Sequence, residues 1–324
     1  MTSPLLSIIC TCYNHGKYIQ EALNSVAEQN YHPMELLIID NGSRDDAVKQ
    51  IEDWVQSNQR RINVKTILRP YALNYCRSFN LGLAMIKGKY VIDLSGDDVL
   101  LPEHVATAVQ TLENHPESVY FSNAYLEEAH RPLSTFYPVN DGAKPLTEVA
   151  SGNIYEKVVQ RTHLCAPTLV FPTQLMVKEG GYDEGLSYED FDIIVRLSRK
   201  YNFVFNEHIG VKKRILKSSF SAQQYRARNS IMLPSTLKVC YKIREMNRTE
   251  EENKALTNRL MFEAKHALAS ANFHAATGFL DLAEEIGVSG IRFRLFRLWE
   301  RIQLDLSFLY RHCVGLNWRL RLLP

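Results

Sequence analysis

The chain has 324 residues, of which 45% are hydrophobic and 23% are charged, and its formal net charge is +2. These values are typical of a soluble globular protein, and the small net charge argues against nucleic acid as a partner. No apolar run is long enough to span a bilayer, and the first residues lack the pattern of a signal peptide. None of the six cysteines forms a Cys-x-x-Cys pair, which disfavours a zinc or redox site and favours reduced, buried thiols in the cytoplasm.

Strand and helix patterns alternate along the first part of the chain. Short apolar runs predict strands at 5–11, 34–40, 63–68, 90–94 and 118–124, and apolar residues at helical spacing predict helices at 18–29, 75–86 and 102–114. This alternation predicts an α/β fold in which a mainly parallel sheet is sandwiched by helices.

The pattern changes in the second part of the chain. A further strand is predicted at 165–171 and a helix at 189–201, and after about residue 230 only helical patterns remain. We therefore predict two domains, an α/β domain over residues 1–225 and a helical C-terminal region over residues 226–324.

The segment Ser95-Gly96-Asp97-Asp98 directly follows the predicted strand at 90–94. In an open α/β sheet, the carboxyl ends of the strands form the edge at which ligands bind. Adjacent carboxylates repel each other unless a cation or hydrogen-bond donors compensate, and a divalent ion that carries a diphosphate would do so. Taken alone, a Gly-Asp-Asp sequence is also typical of a solvated turn.

Two more polar loops, at 11–17 and 39–45, follow the first two predicted strands. Because parallel strands end at a common edge, we expect both loops beside Asp97. Tyr13 offers a flat surface for a base, and Asp40 offers an acceptor for a base or ribose donor. Taken singly, Tyr13 is better explained as a packed aromatic and Asp40 as a turn residue, but together at one edge they favour a ligand. Neither loop has the glycine pattern of a dinucleotide site or a P-loop.

The segment 180–192 places a Gly-Gly turn and several carboxylates before and at the start of a predicted helix. Glu189, Asp190 and Asp192 have a simple explanation as partners of the helix dipole. That explanation does not extend to the Gly-Gly turn, which suits the approach of a substrate to the backbone.

Six motifs follow one another in a fixed order: Cys-Tyr-Asn-His-Gly-Lys-Tyr-Ile at 12–19, Ile-Asp-Asn-Gly-Ser at 39–43, Arg-Ser-Phe-Asn-Leu-Gly-Leu-Ala at 77–84, Leu-Ser-Gly-Asp-Asp at 94–98, Gly-Gly-Tyr-Asp-Glu at 180–184 and Tyr-Glu-Asp-Phe-Asp at 188–192. With these motifs the chain resembles the inverting family 2 glycosyltransferases, which have the A-type nucleotide-sugar fold. Each motif is loose by itself, but six in this order are highly specific.

The resemblance implies roles for individual positions. The nucleotide sugar would be bound by Cys12, Tyr13, Asp40, Arg77, Ser95 and Asp98, a Mn²⁺ or Mg²⁺ ion by Asp97, and the acceptor by Gly181 and Tyr182. Asp190 matches the family's catalytic base, and Glu189 is the alternative base.

The chain departs from the family pattern at three positions. Ser95 and Asn41 stand where many members have an aspartate, and Leu216 stands where many have a histidine. These departures bear on metal affinity more than on the reaction. Candidates to offset the diphosphate charge are Lys213, Arg214 and Lys217.

The implied activity is metal-dependent transfer of a sugar, with inversion, from a nucleotide diphosphate sugar to an acceptor hydroxyl. A UDP sugar is the favoured donor, and a glycan or lipid-linked acceptor in surface polysaccharide or glycolipid assembly is the expected partner. Two other classes stay open. A sugar nucleotidyltransferase would need a Gly-rich, Arg-containing loop that is missing after the first strand. A non-catalytic protein that binds nucleotide sugars or lipid carriers is consistent with Ser95 and Leu216.

The last part of the chain predicts a basic amphipathic helix. Apolar residues recur at helical spacing from Ile291 to Leu309, and arginines surround them. Such a helix lies on an anionic membrane or packs against protein. The resemblance favours peripheral contact of residues 290–324 with the inner face of the cytoplasmic membrane.

Overall fold

The computed structural model describes residues 3–58, 60–161, 164–216 and 219–310. The chain divides into two compact units. The first unit comprises Met1–Asn153, Leu164–Gly185 and Arg196–Ile215, and the second comprises Ile154–His163, Leu186–Val195 and Leu216–Pro324. Two short segments upstream of residue 216 thus group with the C-terminal helices. The predicted boundary at residue 225 stays a prediction.

The strands of the first unit form one sheet, which has nine strands among the described residues. In chain order they are β1 (Leu6–Cys12), β2 (Met34–Asp40), β3 (Asn63–Leu68), β4 (Tyr90–Ser95), β5 (Val99–Leu100), β6 (Ser118–Glu128), β7 (Ser134–Thr135), β8 (Val170–Pro172) and β9 (Asn202–Ile215). Their order across the sheet is β3-β2-β1-β4-β8-β6-β9-β5, and β7 pairs with β6.

Helices accompany both units. The first unit contains α1 (Ile19–Ala27), α2 (Ala47–Asn58), α3 (Tyr75–Leu83), α4 (His104–Asn114) and α6 (Thr173–Lys178). The second unit contains α5 (Tyr155–Gln160), α8 (Leu233–Met246), α9 (Glu250–Ala269), α10 (Phe273–Glu285) and α11 (Ile291–Ile302). Helix α7 (Asp190–Ser198) begins in the second unit and ends in the first.

The central strands read as apolar runs because helices cover both faces of the sheet. Every residue of β1 is buried, and so is every residue of β2. The strands β3, β2, β1 and β4 are parallel neighbours, with Cys12 opposite Asp40 and Thr11 opposite Ser95. The chain therefore leaves β1, β2 and β4 at one edge of the sheet, which we call the carboxyl edge.

The predicted fold class is confirmed, with three differences in detail. The sheet is mixed, because β8 lies antiparallel between β4 and β6. The strand predicted at 165–171 is a 3₁₀ turn, Ala166–Thr168, followed by the short β8. Pro167 in that turn has no backbone N–H to donate to a sheet. The long strand β9, which was not predicted, pairs with β6 along its length.

The cysteines in the described part of the chain are buried and free, as predicted: Cys10, Cys12, Cys76, Cys165 and Cys240. Burial raises the pKa of the Cys12 thiol to about 12, so the thiol is protonated and packs as a small apolar group. Cys313 lies outside the described residues. Within the described ranges, no helix combines the length and the apolar character needed to cross a bilayer.

Candidate active site

The loops that follow β1 and β2 are fastened to each other at the carboxyl edge. The backbone N–H of Asn14 donates to the Ser43 hydroxyl at 2.8 Å, and the Asn14 side chain accepts from the backbone N–H of Arg44 at 2.8 Å. The N–H of Gly16 donates to the Asp45 carboxylate, also at 2.8 Å. Asn14 has a φ of 57°, a left-handed conformation that asparagine tolerates. The two loops thus form one surface.

Asp40 organises the turn after β2. Its carboxylate is fully buried and accepts from the backbone N–H groups of Gly42 and Ser43 at 3.1 and 3.0 Å, and from the Ser43 hydroxyl. Gly42 has a φ of 82°, and a Cβ there would lie 2.3 Å from the backbone of Tyr71. The turn needs glycine for both reasons. Through these hydrogen bonds, Asp40 fixes the conformation of the loop surface.

Asp97 lies one residue beyond the Gly96 turn and is 7% exposed. Its Oδ1 accepts a short hydrogen bond from the Ser95 hydroxyl, and the Nδ1 atom of His15 is 3.8 Å from the same oxygen. The His15 Nδ1 atom is buried and has no hydrogen-bond partner. Gly96 lets these groups approach, since a Cβ there would lie 3.2 Å from that nitrogen.

Asp98 is bound by β9. Its Oδ1 accepts from the backbone N–H of Arg214 at 2.9 Å, and the Arg214 guanidinium donates to the backbone carbonyl of Asp97 at 2.8 Å. Burial, and next the charge of Asp97, raise the pKa of Asp98 to about 7, although Lys213 and Arg214 lower it. The same guanidinium also pairs with Glu21 and Glu127. Arg214 therefore fixes the position of the acidic turn, Asp97-Asp98.

The candidates for offsetting a diphosphate charge can now be separated. Arg214 is buried and its charge is used by Glu21 and Glu127. Lys213 lies close enough to Asp98 to lower the pKa of that carboxyl. Lys217 lies outside the described residues. The role of Lys213 toward a diphosphate stays a prediction.

The polar groups at the carboxyl edge fit a divalent cation that arrives with a substrate. Among the described residues, no group of three or more His, Cys, Asp or Glu side chains has the arrangement of a metal cage. Mg²⁺ and similar ions bind instead through one or two carboxylates and the phosphates of a nucleotide. Asp97, with the unpartnered nitrogen of His15 beside it, supplies such a partial donor set.

The other residues predicted to bind the nucleotide differ in exposure. Tyr13 is 46% exposed and offers its ring at the loop surface, whereas the Cys12 side chain is fully buried in the core. Arg77 lies in the first turn of α3, and its Nε is 4.0 Å from a carboxylate oxygen of Glu184. Tyr13 and Arg77 are thus positioned at the surface, and Cys12 contributes its backbone carbonyl, which accepts from Asn41.

The turn at Gly180–Glu184 is held rigidly against α3. The Asn80 side chain accepts from the N–H of Tyr182 and donates to its carbonyl, both at 2.8 Å. Gly181 has a φ of 69°, and a Cβ there would lie 2.4 Å from the Asn80 oxygen. The Arg196 guanidinium donates to the carbonyl of Gly181 at 2.7 Å. The predicted acceptor residues Gly181 and Tyr182 therefore belong to a preformed turn.

Asp190 and Glu189 belong to the second unit. Asp190 is the first residue of α7, where its Oδ1 accepts from the backbone N–H of Phe191 at 2.6 Å. Both acidic side chains are half-buried. In the same unit, Lys242 donates to Asp192 at 2.6 Å. The convergence of Asp190 with Asp40 and Asp97 around one pocket stays a prediction.

Sequence reasoning did not single out two residues whose contacts the structure shows, His15 and Asp93. His15 lies inside a motif that was singled out, and its position directly after a strand ending beside Asp97 was the available signal. Asp93 interrupts the apolar run of β4, which was also visible in the sequence. What each residue contacts was not visible.

The sequence of the chain was compared with the profiles of known protein families. Residues 7–149 match the sequence profile described as Glycosyl transferase family 2. This part of the chain belongs to glycosyl transferase family 2. The match covers β1 to β7 with the loops of the carboxyl edge and includes four of the six motifs, and the resemblance to the family is confirmed.

Proteins similar to this chain carry the glycosyltransferase name. An uncharacterized glycosyltransferase of Rickettsia prowazekii is 27% identical over 227 residues, which is 66% of this chain and 64% of the relative. The glycosyltransferase GlyG of Streptococcus pneumoniae is 22% identical over 182 residues, 56% of this chain and 59% of the relative. The chain thus spans a little under two thirds of the length of these relatives.

Two solved structures have a fold similar to that of this chain. S. aureus TarS, residues 1–349 in complex with UDP-GlcNAc, superposes with a TM-score of 0.69 at 16% identity, over 95% of this chain and 91% of that one. The mannosyltransferase PcManGT of Pyrobaculum calidifontis, in complex with GDP-Man and Mn²⁺, has a TM-score of 0.58 at 16% identity, over 94% and 85%. At this identity the likeness concerns the fold alone.

Proposed function

We propose that the protein is an inverting glycosyltransferase that moves a sugar from a nucleotide diphosphate sugar to an acceptor hydroxyl. The observation that carries the proposal is the Asp97 carboxylate beside the unpartnered Nδ1 of His15, at the carboxyl edge of a family 2 domain. A UDP sugar is the favoured donor. The UDP-GlcNAc bound by TarS and the GDP-Man bound by PcManGT support a donor of this class.

The donor would lie along the fastened loops of the carboxyl edge. The exposed ring of Tyr13 provides a stacking surface for the base. Asp40 holds the turn beside it in one conformation, so the surface is formed before the nucleotide arrives. Arg77 supplies a fixed positive charge near the nucleotide. These residues bind and orient the donor.

A Mn²⁺ or Mg²⁺ ion fits the group formed by Asp97 and His15 together with the diphosphate of the donor. When bound, such an ion stabilises negative charge on the departing nucleotide. The Mn²⁺ bound with GDP-Man by PcManGT supports a divalent ion in this reaction class. Arg214 and the Ser95 hydroxyl keep the acidic turn in place while the donor is bound.

The acceptor oxygen attacks the anomeric carbon in one displacement, which inverts the configuration. The bond between that carbon and the diphosphate oxygen breaks, and the acceptor proton passes to Asp190 as general base. Asp190→Asn is therefore expected to bind the donor like the wild type and to lose turnover. Glu189→Gln is the matched control, because it neutralises the adjacent carboxylate. Loss of turnover in Glu189→Gln alone would transfer the role of base to Glu189.

The direct test is a panel of UDP, GDP and dTDP sugars with and without Mn²⁺, with release of the nucleoside diphosphate as readout. A metal-dependent release from one donor is expected. Release of pyrophosphate from a nucleoside triphosphate and a sugar phosphate would show a nucleotidyltransferase instead. Tight binding of a nucleotide sugar with no release, in the presence of acceptor extracts, would show a binding protein.

The acceptor is proposed to be a glycan or a lipid-linked molecule of surface polysaccharide or glycolipid assembly, reached from the inner face of the cytoplasmic membrane. The support comes from α11 in the second unit. Four residues at helical spacing on this helix are between 56% and 79% exposed: Ile291, Leu295, Leu298 and Ile302. Arg292, Arg294 and Arg301 are exposed on the same helix. An apolar stripe with exposed arginines suits the surface of an anionic bilayer.

Vesicle flotation tests the membrane contact with the full chain. We expect binding to vesicles that contain phosphatidylglycerol and weaker binding to phosphatidylcholine alone. Leu295→Asp is expected to abolish binding, and Leu146→Asp, which changes a leucine of similar exposure in the first unit, is the control. A stable dimer that dissociates in Leu295→Asp, with no vesicle binding by the wild type, would assign this helix face to a second copy. Membrane contact was predicted for residues 290–324, and the part from 311 to 324 lies outside the described residues.

A further inference from the structure

Two tyrosine hydroxyls from separate segments meet on one carboxylate in the first unit. Tyr75 donates to Oδ1 of Asp93 at 2.7 Å, and Tyr182 donates to Oδ2 at 2.8 Å. Asp93 lies in β4, on the face of the sheet opposite its apolar neighbours Ile92 and Leu94. The ring of Tyr182 also packs on Phe79, with the ring centroids 4.3 Å apart. An acidic residue in a buried central strand needs such partners, because an unpaired charge there is costly.

Tyr75 connects Asp93 to the loops of the carboxyl edge. It is the first residue of α3, and the segment before it is bound to the turn after β2. The Asn41 side chain donates to the carbonyl of Leu73 at 2.9 Å and accepts from its N–H at 3.1 Å. Asn41 directly follows Asp40, the residue that shapes the turn. A displacement of the turn after β2 would therefore also move the start of α3.

Tyr182 connects the same carboxylate to the Gly180–Glu184 turn. The backbone of that turn is already held by Asn80 and by the guanidinium of Arg196. Asp93 is thus not needed to keep the backbone of the turn folded. Its hydrogen bond fixes the side chain of Tyr182 instead. That bond ties the turn to β4, the strand that ends at Ser95, two residues before Asp97.

We propose that Asp93 is a positioning residue that couples the nucleotide-binding loops to the acceptor turn through its paired hydrogen bonds with Tyr75 and Tyr182. The inference rests on the proposed function, which assigns the donor to the loops after β1 and β2 and the acceptor to the Gly180–Glu184 turn. Asp93 touches neither substrate. It holds the two tyrosines so that a nucleotide which orders the loops also orders the turn that receives the acceptor.

The chemistry requires a carboxylate at this position. An ionised carboxylate has two acceptor oxygens, so both phenols donate at the same time. Asparagine has nearly the same shape but only one acceptor oxygen, so one of the two tyrosines loses its acceptor. Loss of one hydrogen bond to a charged group shifts a local opening equilibrium by roughly tenfold or more.

Four variants separate coupling from simple loss of structure. Asp93→Asn breaks the pair, and Tyr182→Phe removes the bond on the acceptor side. Tyr75→Phe is decisive, because it leaves the bond between Tyr182 and Asp93 intact. The matched control is Tyr90→Phe, which removes a tyrosine-to-carboxylate hydrogen bond, to Glu113, at the opposite end of the same strand.

The measurement is amide hydrogen exchange of the full chain, with UDP and Mn²⁺ as the probe. In the wild type and in Tyr90→Phe, the probe is expected to slow exchange about tenfold in both the 69–77 and the 180–185 segments. In Asp93→Asn and Tyr75→Phe, the probe should still slow exchange in the 69–77 segment while its effect on 180–185 falls below about twofold. Equal slowing of 180–185 in the wild type and in both variants would overturn the coupling, and so would slowing of 69–77 without slowing of 180–185 in the wild type.

A different result identifies failure of the proposed function. If UDP and the other nucleotides of the panel do not bind the wild type, the donor assignment fails, and the coupling is decided on the protein without nucleotide. Acceleration of exchange in 180–185 by about tenfold in Tyr75→Phe, with none in Tyr90→Phe, would still support the link through Asp93. No acceleration in Tyr75→Phe would refute it.

Discussion

Substitution of Asp93 by asparagine should change how the stability of the first unit depends on pH. Burial raises the pKa of the Asp93 carboxyl from its ordinary value of 3.8 to about 6, although the hydroxyls of Tyr75 and Tyr182 lower it. This rise in pKa corresponds to a free-energy difference of about 3 kcal/mol between the two protonation states. The ionised form is thus less favourable in the folded protein than in the unfolded chain.

The sign of the effect follows from proton binding. Between about pH 6 and pH 3.8 the folded protein holds a proton on Asp93 that the unfolded chain has lost. The contribution of this group to the free energy of unfolding therefore rises as the pH falls through 6 and levels off below 3.8. Asparagine binds no proton, so the free energy of unfolding of the wild type minus that of Asp93→Asn should increase by about 2.4 kcal/mol from pH 7.5 to pH 4.

Urea unfolding followed by tryptophan fluorescence measures this difference. Trp54 is 4% exposed in the first unit, so replacing Trp299 and Trp318 by phenylalanine restricts the signal to that unit. Asp53→Asn, which changes an exposed carboxylate next to the reporter, is the control and should leave the difference nearly constant. A wild-type minus Asp93→Asn difference that is also constant between pH 7.5 and pH 4 would refute the reasoning.

Three further predictions concern the site and the second unit. Asp97→Asn should remove the Mn²⁺ dependence of UDP binding in a calorimetric titration, and UDP affinity that stays metal-dependent would exclude Asp97 as a ligand. Gly42→Ala should lower the free energy of unfolding by about 2 kcal/mol or more, since alanine is strained at positive φ and its Cβ meets backbone. Arg259→Met should cost about 3–5 kcal/mol in urea unfolding, because it removes the guanidinium that pairs with the fully buried Glu263 carboxylate, and addition of Glu263→Gln should restore most of the loss.

Much of the first unit was readable from the amino-acid sequence. The strands β1, β2 and β4 are apolar runs because both of their faces are covered, and local composition alone reveals that state. Turn residues then follow each run, and parallel strands end at a common edge. The placement of Asp40 and Asp97 at that edge therefore needed only the order of strands and loops along the chain.

The remaining features depend on pairing between distant segments. Strand β9 contains many polar residues, and it is a strand because it pairs with β6 from Ser118 opposite Asn202 to Glu128 opposite Ile215, with a register shift near Asn123. Neither local periodicity nor turn chemistry specifies such a partner. The antiparallel insertion of β8 between β4 and β6 has the same origin.

The sequence by itself determined the fold class, the family and the edge at which polar residues gather, because these depend on local hydrophobic pattern and on short motifs. Only the tertiary structure decided which side chains act on one another. It placed His15 beside Asp97, directed the charge of Arg214 to Glu21 and Glu127, and joined Tyr75 and Tyr182 on Asp93. These contacts join residues up to 193 positions apart, and their partners are selected by the packing of whole elements rather than by any local preference.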